Sequence, residues 1–312
     1  MKKLHIVMLI FFGIFASCKD NSTQKDQVLN NEPIPEASKT LPKSPAFEQS
    51  QEFKDYWYAG EAEITSYKLE QARYGEMRDG SAVLVFVTED FLPKKQVKAD
   101  QYDKTNTPVL KLNSTKKFNT GIYPYSIMQS TFYPVSNNQH ALKVSCSVQE
   151  WCGHIYSQLN NRDLFEITSH SYFESDADQE FTLEKVVLEN ELWTQLRLDP
   201  KSLPVGDFEI IPSMEFIRLK HIEMKPYFAK AINKEGKYTI YYNEFDRKLT
   251  INYNPNFPYE ITSWEETFKD GYGTNAKTLT TKATKLKTIK SAYWNKKTNA
   301  DGILRETLQL KR

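Results

Sequence analysis

The chain has 312 residues, with 41 Lys and Arg against 40 Asp and Glu, 39% apolar and 13% aromatic content. That balance and a mean hydropathy of −0.61 exclude a helical membrane bundle, a disordered tail and a wholly basic nucleic-acid binder. Tyr and Phe, at 18 each, can fill a sizeable core and favour strands.

Met1-Lys2-Lys3 is a short basic start, and Leu4 to Phe15 is an apolar run broken only by His5 and Gly13. The run falls short of the roughly 20 apolar residues a spanning helix needs. It has the length of a signal-peptide apolar region, with small residues after it. Phe15-Ala16-Ser17-Cys18 resembles the bacterial lipobox, with Phe15 where Leu is usual. The resemblance implies removal of residues 1–17 and acylation of Cys18, leaving 39 basic against 40 acidic residues. Each buried acyl CH₂ adds about 0.8 kcal/mol, so several chains hold a protein on a bilayer. Residues 18–52 then read as the lipidated cysteine and a flexible tether, with Pro33, Pro35, Pro42 and Pro45 among polar residues. Lys19-Asp20-Asn21 resembles the charged tether of surface-exposed Bacteroidetes lipoproteins. The expected location is the cell envelope, at the outer membrane, with the periplasmic and surface faces both open.

Residues 53–312 are expected to form a single β-rich domain. Ser81 to Val87 reads as a central strand, Arg78-Asp79-Gly80 as the hairpin turn before it, and Ile64 to Tyr74 as its partner. Leu142, Val144, Cys146 and Val148 alternate with polar residues. Asn160-Asn161 marks a turn before Phe165–Phe173. Phe208–Ile211, Phe216–Ile222, Tyr227–Ile232, Tyr238–Asn243 and Leu249–Tyr253 are further strands, with Glu235-Gly236 and Asp246-Arg247 as turns. Leu188, Leu192 and Leu196, broadened by Val187 and Trp193, predict one helix near 183–198, ended by Asp199-Pro200. The fold class is mainly β: an antiparallel curved sheet or half-barrel, or a sandwich, with one packed helix. The layout loosely resembles the half-barrel of bacterial lipoprotein carriers and receptors, through Leu249–Tyr253 and Phe257-Pro258-Tyr259-Glu260-Ile261 leading to Trp264.

Longer phrases resemble an uncharacterised family of Bacteroidetes lipoproteins, often labelled septum formation inhibitor Maf. They are Trp57 to Ile64, Val87 to Lys95, Leu112 to Gly121, and Gln149-Glu150-Trp151-Cys152-Gly153-His154. True Maf proteins are nucleotide pyrophosphatases with an early Ser-x-Ser-Pro-Arg-Arg motif on an α/β fold, and this chain has neither. The resemblance implies an envelope location and no activity.

Glu150, Cys152 and His154 form the densest chemical cluster. On a regular strand Cys152 and His154 would share a face about 6–7 Å apart, too far for a nucleophile–base hydrogen bond. They make only two metal ligands, so no metal and no cofactor is expected. Cys146 and Cys152 are expected as two free, buried thiols, because no turn signal between them brings their Cα atoms within about 7 Å. Glu174 with Asp176 and Asp178, or Glu265 with Glu266, are the carboxylate pairs a glycosidase would need, and adjacent acids on a strand face opposite ways. Tyr123-Pro124-Tyr125, Phe132-Tyr133-Pro134 and Tyr241-Tyr242 could line a sugar or lipid cleft, or fill the sheet.

Residues 269–312 carry eleven basic and three acidic side chains, a net +8. Lys282, Lys285, Lys287 and Lys290 point to an edge strand charged on both faces, either blocking edge pairing or forming a strip toward an anionic surface. The expected function is a non-enzymatic envelope lipoprotein, a binding or scaffold module for an envelope lipid, glycan or protein, with no nucleic-acid partner. The alternative is an envelope hydrolase using a carboxylate pair or the Cys152/His154 locus.

Overall fold

The computed structural model describes residues 47–310, so the expected signal peptide, Cys18 and most of the tether lie outside the described residues. The chain opens on α1 (Gln51–Trp57), which Ser50 caps by accepting the Phe53 N–H at 3.1 Å. Strands follow as β1 (Ala62–Arg73), β2 (Glu76–Leu92), β3 (Val97–Lys98), β4 (Thr107–Thr120) and β5 (Tyr123–Pro134). Next come β6 (Lys143–Glu150), β7 (Gly153–Asn161), β8 (Phe165–Ser171), β9 (Gln179–Leu183) and β10 (Val187–Leu188). Helix α2 (Glu189–Leu198), β11 (Gly206–Ile211) and α3 (Met214–Lys220) make the crossover. The chain then runs through β12 (Tyr227–Lys234), β13 (Lys237–Tyr242), β14 (Arg247–Tyr253), β15 (Ile261–Asp270), β16 (Lys277–Ser291) and α4 (Ile303–Thr307).

All 16 strands belong to one sheet, which settles the expectation in favour of a single curved antiparallel sheet over a sandwich. β1 lies in the middle, between β2 and β16. From there the first half meanders out to β9, and the second half starts at the far edge and meanders back from β11 to β16. Every pairing is antiparallel except β10 with β11, and the sheet is left open between β9 and β10. Both halves reach the same helices. Trp193 of α2 packs edge-on against Trp264 of β15 at 5.3 Å, while the Asn190 carbonyl accepts from Thr131 of β5. Only the concave side of a curved sheet allows that, so α2 and α3 lie inside it.

Alternation sends Tyr67 and Leu69 of β1, Leu84 and Phe86 of β2, and Leu110 and Leu112 of β4 inward onto Leu192 and Leu196 of α2. On the outer face Ala62, Ile64 and Val87 form a small separate cluster, covered by Leu308. The Ser66 hydroxyl donates to the Leu308 carbonyl at 2.5 Å, fastening the C-terminal segment there.

Four sequence expectations are corrected. Phe216–Ile222 is not a strand: Ser213 caps α3 by accepting the Phe216 N–H, and His221 ends it in the left-handed region at φ 51°. Asp79-Gly80 is not a turn but lies inside β2, and the reversal occurs at Tyr74-Gly75, with φ of 59° and 76°. The described residues hold four α-helices rather than one. The lysine-rich strand is β16, which pairs with both β15 and β1 and so sits near the centre of the sheet, not at its edge.

Candidate functional site

The sheet stops at β9, and α3 with residues 221–225 faces that edge in place of another strand. Between them lies a cleft of about 540 Å³, in the range of about 300–1,000 Å³ usual for small-molecule sites. Its lining is mixed: Ile155, Phe181 and Leu183 from the sheet, Met214 and Ile217 from α3, then Ile222 and Met224 make an apolar part, beside polar residues that include Ser171, Ser175 and Gln179. Ser157 and Ser169 also face it, and their hydroxyls satisfy each other at 2.7 Å. Gly153 makes room for the β8–β9 connection, because a Cβ there would lie 3.1 Å from the Phe173 ring and 3.3 Å from Tyr172.

Charge gathers at the mouth. Arg218 is 3.5 Å from Asp176 and lies over the Phe173 ring at 4.4 Å. Its Nη1 lies 3.0 Å from the His221 ring, and its Nε is buried with no hydrogen-bond partner among the described residues. His221 is 3.7 Å from Asp176, and burial followed by the Arg218 charge pushes its imidazole below the usual value. Lys225 pairs with Glu223 at 2.8 Å. The rim of the cleft thus offers paired opposite charges beside a partly apolar interior.

On the other side of α3 is a buried ionic network. Lys116 of β4 meets Glu215 at 2.7 Å, and Gln129 of β5 donates to the same carboxylate at 3.0 Å. Arg247 bridges Glu189 at 2.8 Å and Glu266 at 2.7 Å, and the Tyr242 hydroxyl donates to Glu189 at 2.6 Å. The cavity these groups share is about 50 Å³, room for a few waters and nothing larger. Three carboxylates face two cations. Burial, then the neighbouring Glu266 and Glu189 charges, push the Glu215 carboxyl above its usual value despite the Lys116 contact. Burial pulls Lys116 down, but Glu215 and Glu266 outweigh it and leave the ammonium raised. A second buried pair joins α2 to β1: Arg197 grips Glu63 through both nitrogens at 2.6 and 2.7 Å.

The sequence-predicted residues are scattered. Glu150, Cys152 and His154 sit on the β6–β7 hairpin, whose turn is Trp151-Cys152. Glu150 accepts the Cys152 N–H at 2.7 Å, and its hydrogen bond and charge push the thiol up, away from an activated thiolate. His154 turns to Ser147 at 3.0 Å. Both cysteines are free, but Cys152 is exposed rather than buried, because the hairpin turn lifts it off the sheet. Trp151 is likewise exposed. Glu266 points inward to Arg247 while Glu265 points outward, 3.7 Å from Lys282. Asp178 pairs with His170 at 3.3 Å, and Asp176 alone of the acidic loop reaches the cleft.

The four lysines do not form one strip. Lys282 and Lys287 are exposed, whereas Lys285 pairs with Glu260 at 2.5 Å and Lys290 donates to the Tyr56 carbonyl at 2.6 Å. A bulge where Ser66–Tyr67 faces Lys287 and Lys285 resets the parity of β16 and splits the set between faces. Tyr125, Tyr133 and Tyr242 are core side chains, Tyr125 stacked on Phe118 at 4.9 Å. Among the described residues no group of three or more His, Cys, Asp or Glu side chains is arranged to hold a metal ion.

No family model matches the chain, and no curated protein matches it. Among solved structures, a porin-like protein from Bacteroides uniformis ATCC 8492 aligns with a TM-score of 0.21 and 8% identity, covering 72% of this chain and 95% of that one. A likeness of that size carries no argument about fold or function.

Proposed function

We propose that the chain is an envelope lipoprotein, held on a membrane through acylated Cys18, whose cleft beside β9 binds an amphiphile with an apolar body and a charged head. The cleft carries the reading: about 540 Å³ of space with Ile155, Phe181, Leu183, Met214, Ile217 and Met224 on its walls. An acyl chain or comparable apolar body gains from leaving water for such walls, about 25 cal/mol per Å² of its surface. Arg218 at the mouth suits an anionic head group, and Asp176 beside it suits an amine. A hydrolytic reading has less support, since the Cys152 thiol is raised and Glu265 and Glu266 face opposite sides of the sheet.

The test is native purification in mild detergent followed by mass spectrometry of extracted lipids. The parent should carry bound amphiphile, and Ser169→Trp, which fills the cleft, should not. Equal occupancy in both proteins would defeat the cleft assignment. Cys18→Ala should move the protein from the membrane to the soluble fraction, and unchanged partitioning would defeat the anchor.

A further inference from the structure

The meander places the turns after β1, β4, β6, β8, β13 and β15 on one rim of the sheet, with the end of β11 and the start of β12. Among the described residues, six large apolar side chains are more than two-thirds exposed, and five of them lie on that rim. Ile122, Trp151, Tyr172 and Tyr272 stand on four separate hairpin connections, and Phe228 is the second residue of β12. Only Tyr102, between β3 and β4, belongs to the opposite rim. Turn positions ordinarily carry Gly, Asn, Asp or Ser, and these side chains contribute nothing to the core, so folding does not account for them. Neighbouring tips even share aromatic contact, Trp151 lying 6.4 Å from Tyr123.

We propose that this rim docks on a lipid bilayer, with Ile122, Trp151, Tyr172 and Tyr272 entering the interfacial layer. Trp and Tyr are the side chains that favour the head-group region, apolar body inward and polar tip in water. A protein partner would be matched by a continuous packed patch, whereas single side chains on four separate prongs suit a deformable surface. The cleft mouth lies on the same rim, at Ser175, Asp176, His221 and Lys225. A sparingly soluble amphiphile would then pass between membrane and cleft without crossing water.

The tether is compatible with this orientation. Phe47 leaves from the opposite rim, its N–H bonded to the Ser136 carbonyl beyond β5. The 28 residues from 19 to 46 can reach at most about 90–100 Å. The 17 residues of β2, the longest strand, span only about 56 Å.

The experiment uses the acyl-free chain, residues 19–312, which contains every element described above, with neutral phosphatidylcholine vesicles in a flotation assay. Binding is expected in low salt and equally in 1 M NaCl. Brominated lipid should quench the tryptophan emission of the parent and leave that of Trp151→Phe largely unquenched. The variant Ile122→Ser/Trp151→Ser/Tyr172→Ser/Tyr272→Ser should lose at least about a hundredfold in partitioning with an unchanged far-ultraviolet spectrum. The same variant should still take up a soluble fluorescent fatty acid, which separates failure of the rim from failure of the cleft. Absent flotation, binding restricted to anionic vesicles and lost in salt, or binding unaltered in the fourfold variant would each overturn the proposal.

Discussion

Replacing Lys116 by Met probes the network that seats α3. The ammonium is nearly buried and 2.7 Å from Glu215, whose side chain is 6% exposed. At an effective dielectric constant near 20 the attraction at that separation is about 6 kcal/mol, most of it offset by the desolvation of two ions. What the substitution exposes is the uncompensated carboxylate, at a cost of about 3–5 kcal/mol for a broken buried pair. Glu215 keeps only its bond from Gln129, so the lower half of that range applies if the carboxyl takes up a proton. For a domain of this size the loss is roughly 10 °C in melting temperature. Urea unfolding of the acyl-free chain measures it. The double variant Lys116→Met/Glu215→Leu should recover most of the loss, because both charges have gone and the site is apolar on its α3 side. A single-variant cost below about 1 kcal/mol, or a double variant no better than the single, would refute the claim that the pair is buried and coupled.

Three further outcomes follow from the same geometry. Because the Glu215 carboxyl is raised in the fold above its ordinary 4.5, its contribution is fully present below that pH and is lost as pH rises through the folded value; Glu215→Gln should abolish that loss in stability-versus-pH curves, and identical curves would count against it. Gly80→Ala should destabilise by at least about 2 kcal/mol in urea melts, since its Cβ would sit 2.3 Å from the Lys117 carbonyl across the β2–β4 ladder; a neutral effect would mean the strands can separate there freely. Glu150→Gln should raise the rate of Cys152 with a thiol reagent at pH 8 severalfold, by removing the carboxylate that raises the thiol, with buried Cys146 silent until the chain unfolds.

What the sequence revealed follows from where water is. Ser81–Val87 was legible as a strand because it is a continuous apolar, β-branched run, and Leu142–Val148 because apolar and polar residues alternate along it. β4 and β5 escaped notice because their inner faces carry Ser114, Lys116, Gln129 and Thr131 toward the ionic cavity, which blurs the alternation. Phe216–Ile222 reads as a strand because α3 lies between two cavities and buries nearly all its sides, leaving no polar face to mark a helical period. Asp79-Gly80 has the composition of a turn, yet eleven consecutive pairs from Glu63–Phe86 to Arg73–Glu76 carry the hairpin past it. The lysines of β16 misled for a different reason: a central strand can bear charge when its outer face meets water and its inner ones find Glu260 or the Tyr56 carbonyl. Of the cleft, only Asp176 was visible as a candidate, because walls drawn from β7, β9 and α3 share no sequence pattern.

The position of α3 links these features. One side of this two-turn helix carries Glu215 into the network with Lys116 and Gln129, and the other carries Ile217 and Arg218 into the cleft. Its C-terminal end is tied to the rim as well: Arg73 donates to the Leu219 carbonyl at 2.8 Å, and Lys220 to the Lys269 carbonyl at 2.7 Å. An apolar contact alone would let so short a helix slide along the sheet, since apolar packing is non-directional. Hydrogen-bonded charges fix it in one register, because any shift leaves a buried ion without its partner. The buried ions therefore contribute little net stability and much positional definition. What they define is the wall of the cleft and the placement of Arg218 at its mouth.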